Sequence, residues 1–296
     1  MLAQLRERIL LVLLLCLTAW SCGKTEDTIL VGEYGSLTGA EATFGQSTHH
    51  GIMLALKEQN AAGGVKGKKI AIKTYDTQGK SQEAGMAVTR LVTDDKVVAL
   101  LGEVASGLSI AGGRIAQQYG VPMITPSSTN PKVTEIGDMI FRVCFIDPFQ
   151  GWVVAKFARD NLKVQKVAIL YDQAQAYSKG LKDDFRKALN QMGGTITTEQ
   201  AYTGGDQDFS AQLTTIRGTN ADAVFLPGYY TDAGNIALQA RKLGLTVPLL
   251  GGDGWDSAKL GEIAGSAIDG SYYSNHYSHE EQRPEVQSFV TKYKAD

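Results

Sequence analysis

Gln118-Tyr119-Gly120-Val121-Pro122-Met123-Ile124-Thr125 reads as a helix end, a glycine, a proline and the start of an apolar strand. Glycine takes the left-handed conformation that closes a helix, and proline opens a strand without losing a ladder hydrogen bond. The same order recurs in Arg241-Lys-Leu-Gly244-Leu-Thr-Val-Pro248-Leu-Leu250. Its recurrence more than a hundred residues downstream suggests two units built on one plan.

Outward from these two stretches the chain alternates short β-rich runs with amphipathic helical patterns. Strands are expected at 29–34, 70–75, 97–101, 123–125, 140–145, 167–171, 223–226 and 247–250. Most are continuous apolar runs, as for strands buried on both faces of a parallel sheet. Helical periodicity covers 50–59, 82–93, 109–119, 149–161, 178–192, 209–217 and 233–243. Repeated β–α order means crossover units, and here two doubly wound α/β lobes. A junction is expected near Asp147-Pro148, because proline disfavours helix for the residue before it. About 275 residues remain after the first 21, enough for two domains with separate cores.

The N-terminus has its own logic. Arg6 and Arg8 precede an apolar run from Ile9 to Leu17, and then Thr18-Ala-Trp-Ser-Cys22. The run is too short for a permanent membrane span but fits the core of an export signal. The pattern resembles a bacterial lipoprotein signal, which implies cleavage after residue 21 and lipidation of Cys22. An ordinary cleavable signal is the alternative. Loss of Arg6, Glu7 and Arg8 shifts the formal charge from −2 to −3. The densest basic cluster, Lys66, Lys68 and Lys69, sits at a turn, so nucleic acid is not an expected partner. Cys144 lies in an apolar run without a partner and is expected to be a small buried residue.

Several motifs fall short of chemistry. Gly32-Glu-Tyr-Gly-Ser-Leu-Thr-Gly39 lacks dinucleotide-binding spacing, and Gly63-Gly-Val-Lys-Gly-Lys-Lys69 lacks both the spacing and the hydroxyl of a phosphate loop. Gly107-Leu-Ser109 lacks the second glycine of a nucleophile elbow. The pairs His49–His50 and His276/His279 suit solvated or capping roles better than a metal site. No cofactor, metal or enzymatic activity is therefore expected.

Taken in order, Val31–Gly51, Leu56–Gly67, Tyr75-Asp76, Leu101–Ser106, Val121–Thr129, Phe141-Arg142, Val167–Asp172, Asp208-Phe209, Ala223–Tyr229 and Leu250–Gly254 resemble the leucine/isoleucine/valine-binding family of periplasmic binding proteins. The resemblance runs through nearly the whole chain after the leader. It implies the type I two-lobed fold, with a signal at 1–21, an anchor or linker at 22–28, lobe one at 29–147, lobe two at 148–274 and a return to lobe one at 275–296. The family continues for several dozen residues past a point like Asp296, so an incomplete C-terminus is expected.

The resemblance also implies which residues touch ligand. Ser106 matches a serine that binds a carboxylate, and Ser127 and Thr129 match a loop that supplies a carbonyl and a threonine. Tyr177 and Tyr229 match tyrosines that close over the ligand, and Asp253 matches an acidic residue facing an ammonium group. Phe44 stands where members carry Trp or Tyr, and Ala105 where some carry cysteine; with Val104 they suggest a small or apolar ligand side chain. Independent charge logic agrees. A helix start just after Ser106-Gly107 offers free N–H groups to a carboxylate, and a buried ammonium requires a carboxylate partner. The bland alternatives are turn residues for 127–129, core for Tyr229, and a cap for the helix at Ser257 in the case of Asp253.

The expected function is capture of an amino acid by lobe closure and delivery to the permease subunits of an ABC importer. The expected state is a monomer at the periplasm or cell surface, lipid-anchored to a bacterial membrane. A binding protein for an amide, urea or aromatic acid, or a ligand sensor, shares the same fold.

Overall fold

The computed structural model describes residues 28–295; the leader and Cys22 lie outside the described residues. Five parallel strands form the first sheet: β1 (Ile29–Gly35), β2 (Ile70–Asp76), β3 (Leu100–Leu101), β4 (Met123–Thr125) and β5 (Ile140–Arg142), in the order β2-β1-β3-β4-β5. The second is also parallel: β6 (Lys166–Asp172), β7 (Thr195–Tyr202), β8 (Ala223–Phe225), β9 (Leu249–Gly251) and β10 (Tyr272–Tyr273), ordered β10-β9-β8-β6-β7. Read from the other edge, the two orders are identical. In each sheet the first strand has its second strand on one side and its third on the other. The C-terminal ends of such neighbouring strands are where open α/β sheets bind ligands.

The helices are α1 (Ala42–Ala61), α2 (Ser81–Thr93), α3 (Ser106–Tyr119), α4 (Asp147–Asp160), α5 (Ala176–Gln191), α6 (Ser210–Arg217), α7 (Tyr230–Lys242), α8 (Ala258–Ala264) and α9 (Pro284–Ala295). Gly120 closes α3 at φ 65°, the left-handed conformation expected of the stretch 118–125. Helix α5 shows why such segments dock. Leu181, Phe185, Ala188 and Leu189 fall on one face and are buried, and Phe185 stacks on Phe225 of β8 at 3.9 Å. The first sheet is packed by Tyr34, Val88, Leu91, Leu100 and Met123, all fully buried.

The chain passes from the first sheet to the second between β5 and β6, and α4 packs against α5. After β10 it turns back, and α9 lies against α1: Tyr293 Oη donates to the Ser47 carbonyl at 3.1 Å, and Lys292 pairs with Glu58 at 2.7 Å. Among the described residues no helix is long and apolar enough to cross a membrane.

Some elements differ from the sequence expectation. Strand β7 was not anticipated because Thr195-Ile-Thr-Thr-Glu-Gln-Ala-Tyr202 is polar; it is a half-buried edge strand, where one side meets solvent. Strand β10 has two residues, both exposed, too few for a pattern. Helix α1 starts at Ala42 rather than His50, through a polar stretch that faces the second sheet's helices. The run expected as strand 140–145 ends at Arg142, so Cys144 lies beyond it, half-buried with its Sγ against the Ser128 carbonyl rather than in a core.

Candidate functional site

A cleft of about 570 Å³ opens between the C-terminal ends of the two sheets. The first wall follows β1, β3 and β4, and its organiser is Glu103. This residue is 1% exposed, and its carboxylate accepts from Ser36 Oγ (2.7 Å), Thr77 Oγ1 (2.9 Å) and the Ala105 N–H (2.9 Å). Its carbonyl accepts from Ser109 Oγ (2.9 Å), Thr125 Oγ1 (2.6 Å) and Ser128 Oγ (3.0 Å). One residue thus ties the loop after β3 to the loops after β1, β2 and β4. Burial pushes the Glu103 carboxyl up, and its donors pull the other way.

Arg142 fixes the loop after β4 from the other side. Its guanidinium donates to the carbonyls of Ser128 (2.7 Å), Asn130 (2.9 Å) and Pro131 (3.0 Å) and to Thr134 Oγ1 (2.6 Å). The planar five-donor fork suits such a task better than a lysine. With the loop so held, Ser127 and Thr129 line the cleft beside Val104 and Ser106. Ser106 is the first residue of α3, not a residue ahead of it. Both Leu108 and Ser109 N–H groups bond the Ala105 carbonyl at 3.0 Å, which starts the helix three residues earlier than its apolar periodicity indicates. The first-turn amides of Ser106 and Gly107 stay free of helical acceptors and carry the positive end of the helix dipole toward the cleft.

The second wall follows β6, β8 and β9 and consists of side chains. Tyr177 on the first turn of α5 stacks on Tyr229, which caps α7, at 5.2 Å and 21°. Asp253 follows β9, and its Oδ1 accepts from Tyr177 Oη and from Gln150 Nε2, both at 2.8 Å. Its Oδ2 lies 3.0 Å from His276 Nε2, and His276 stacks on Phe145 at 4.3 Å. An ionised Asp253 only accepts, so the proton of that contact sits on His276. Gly252 is required here: a Cβ would overlap the Tyr177 hydroxyl. Burial and then the Asp253 charge hold the Tyr177 phenol neutral by raising its pKa well above the ordinary value.

The walls touch. Phe44 of α1 meets Tyr230 edge-on at 5.0 Å and Tyr229 at 6.2 Å. Tyr230 Oη accepts the Thr43 N–H at 3.3 Å, Thr231 Oγ1 donates to the Ala40 carbonyl at 2.7 Å, and Asn130 Nδ2 donates to the Ala176 carbonyl at 2.9 Å.

Phe44, Val104, Ser106, Ser127, Thr129, Tyr177, Tyr229 and Asp253 therefore share one cleft. Ala105 does not line it. Its side chain is 2% exposed in the core behind Val104, and its amide is spent on Glu103. Asp253 does not cap α8; Ser257 does so itself, accepting from the Lys259 N–H at 3.2 Å. Ser109 is fully buried and bonded to Ser128 Oγ at 2.7 Å, a structural hydroxyl. His49 pairs with the buried Glu33 at 2.7 Å, pinning α1 to β1. Sequence reasoning missed Glu103, Gln150 and His276. For Gln150 a signal existed, its spacing of one helical turn from Asp147; for His276 none did. Among the described residues no group of three or more His, Cys, Asp or Glu could hold a metal ion.

Two parallel sheets of identical strand order, facing each other across a cleft built at their strand ends, define the type I two-lobed binding-protein architecture. The chain belongs to the periplasmic binding protein family, whose sequence model matches residues 28–296. It is 33% identical over 248 residues to a Leu/Ile/Val-binding protein homolog of Brucella melitensis, covering 83% of this chain and 67% of that one. It is similar to a leucine-binding protein from Thermotoga maritima (38% identity, TM-score 0.86, 90% of this chain and 75% of that one). A branched-chain amino acid transporter substrate-binding protein from Streptococcus pneumoniae, solved with isoleucine, is 34% identical with TM-score 0.84 over 91% of this chain and 77% of that one.

Proposed function

We propose that this protein captures an amino acid, branched-chain or similarly small and apolar, and delivers it to the permease of an ABC importer. The observation that carries the reading is the polarity of the cleft. A carboxylate, Asp253, faces a wall made of Ser106, Ser127 and Thr129 and the free first-turn amides of α3. Such a cleft suits a zwitterion, its carboxylate at the N-terminus of α3 and its ammonium at Asp253. Phe44, Val104 and the stacked Tyr177 and Tyr229 supply apolar surface for the side chain. The names of the Thermotoga and Streptococcus relatives support the same ligand class.

In this reading the unit 29–147 is lobe one, 148–274 lobe two and 275–296 the return to lobe one. Ligand binds the first wall, and the second wall closes through contacts absent from the open form, the condition for a ligand to shift such an equilibrium. Export by the leader and lipidation at Cys22 would keep a monomer near the permease. The test is calorimetric titration with a panel of amino acids, neutral amides and aromatic acids, repeated with Asp253→Ala. The expected result is binding of leucine, isoleucine or valine, weakened about 100-fold or more by the substitution. Binding only of ligands without an ammonium group, or an unchanged affinity in Asp253→Ala, sinks the reading.

A further inference from the structure

Behind the Asp253 side of the cleft lies a patch of buried side-chain oxygens without a hydrogen bond of ordinary geometry: Thr129 Oγ1, both oxygens of Asp147 and Gln150 Oε1. Asp147 is 0%, Gln150 1% and Thr129 1% exposed. Asp147 and Gln150 sit one turn apart on α4 and so share a face. The Asp147 N–H donates to the Thr129 carbonyl at 3.0 Å, while Gln150 reaches Asp253 through its amide nitrogen at 2.8 Å. A Cβ on Gly180 of α5 would lie 3.1 Å from Asp147 Oδ2. The carboxyl is thus enclosed where the loop after β4, α4 and α5 meet.

An ionised carboxylate buried with no donor but the neighbouring Thr129 hydroxyl is strongly disfavoured, and a protonated one is not. The charged groups that face Asp147 are Asp253 after β9, Asp184 on α5 and Arg142 on β5. Arg142 is committed to four acceptors of the loop, and His276 reaches only the far oxygen of Asp253. Burial pushes the Asp147 carboxyl up to about 8; the Thr129 hydroxyl and Arg142 oppose this, and the Asp253 and Asp184 charges add to it. A positive group arriving between Thr129 and Asp253 reverses that balance.

We propose that Asp147 is a buried charge-balancing residue, a neutral acid while the cleft holds no cation and an ionised one when the cationic end of a ligand settles against Asp253. On binding, the Asp147 O–H bond breaks, its electron pair stays on the carboxylate, and the proton leaves past the Thr129 hydroxyl into the cleft and to solvent. Asp147 is a positioning residue, because it does not line the cleft itself. Its linkage to ligand rests on the amino-acid reading above, whereas its neutrality in the empty protein does not.

Two measurements separate these. In the full chain without ligand, carbon-13 NMR of labelled aspartate side chains should show a carboxyl that titrates near pH 8 and is missing from Asp147→Asn. If that resonance titrates wholly below about pH 5, in the ordinary aspartate range, the proposal is overturned. With L-isoleucine as probe, calorimetry at pH 7 in buffers of different ionisation enthalpy should report release of close to one proton per ligand, lost in Asp147→Asn. Isoleucine binding with no buffer dependence overturns the linkage. Absence of isoleucine binding, with the high titration intact, counts against the amino-acid reading and supports the neutral acid.

Discussion

Position by position, the two walls of the cleft are built on the same topology with opposite chemistry. After the first strand of each sheet comes an aromatic residue, Phe44 in one and Tyr177 in the other. After the third-numbered strand come Ser106 and Tyr229, and after the fourth Ser127 with Thr129 and then Asp253. The first wall is bonded to itself: Glu103 and Arg142 satisfy its loops before any ligand or second wall is present. The second wall is an aromatic stack and one carboxylate whose partners Gln150 and His276 come from segments on either side of the lobe's own strands. One strand order therefore delivers a preformed half and a half completed by neighbouring segments.

The contrast is broken most severely at Glu103. Glu103→Ala removes the acceptor of the Ala105 amide and leaves the buried Ser36 and Thr77 hydroxyls with only the 3.1 Å bond between them, and should cost about 3–5 kcal/mol of unfolding free energy in urea titration. A loss under about 1 kcal/mol would mean the first wall has no such organiser. Arg142→Met should follow at about 2 kcal/mol, with a weaker affinity than stability effect would predict if the loop after β4 stays in place without its fork.

A pH dependence tests the contact between the walls. Glu41, beside the Ala40–Thr231 hydrogen bond, is held at about 8, first by burial and then by Glu103, Asp232 and Asp172; Asp232 on the opposite wall is raised to about 6, first by burial. A carboxyl whose pKa rises when the walls meet favours the closed form below its ordinary pKa. That contribution is lost as pH climbs, between about 4.5 and 8 for Glu41. The closed fraction, followed by fluorescence transfer between labels on the two lobes, should therefore fall over that window. Glu41→Gln should flatten the curve, and an unaltered curve would remove Glu41 from the account. The smallest effect is expected at Tyr229→Phe, with unfolding free energy changed by less than about 0.5 kcal/mol because the ring stack on Tyr177 survives. A large loss there would show that the second wall is as self-supporting as the first.

Much of this was readable from residues in order. Continuous apolar runs marked the interior strands, and the pattern 118–125, repeated at 241–250, announced two equivalent units. What failed to show was polar and paired at long range. Glu103 sits in an otherwise apolar run and looks like an exception until Ser36 and Thr77 are brought to it from the loops after β1 and β2 and Thr125 from the end of β4. Strand β7 looks like a loop because an edge strand needs only one apolar face. Ser106 opens α3 although Gly107 follows it, because helix starts are decided by backbone hydrogen bonds that carry no periodicity.

By itself, then, the order of residues determined the α/β class and the doubling of the plan, and offered the residue types that the proposed ligand would need, since all three are local patterns of apolar spacing, glycine and charge. Only the tertiary structure decided that Ala105 faces the core while Val104 faces the cleft, that His276 and Gln150 hold Asp253, and that the Asp147 carboxyl is buried with no neighbouring donor but Thr129. These depend on which side chains are desolvated together, and the energy of a polar group is set by that enclosure, not by its neighbours in sequence.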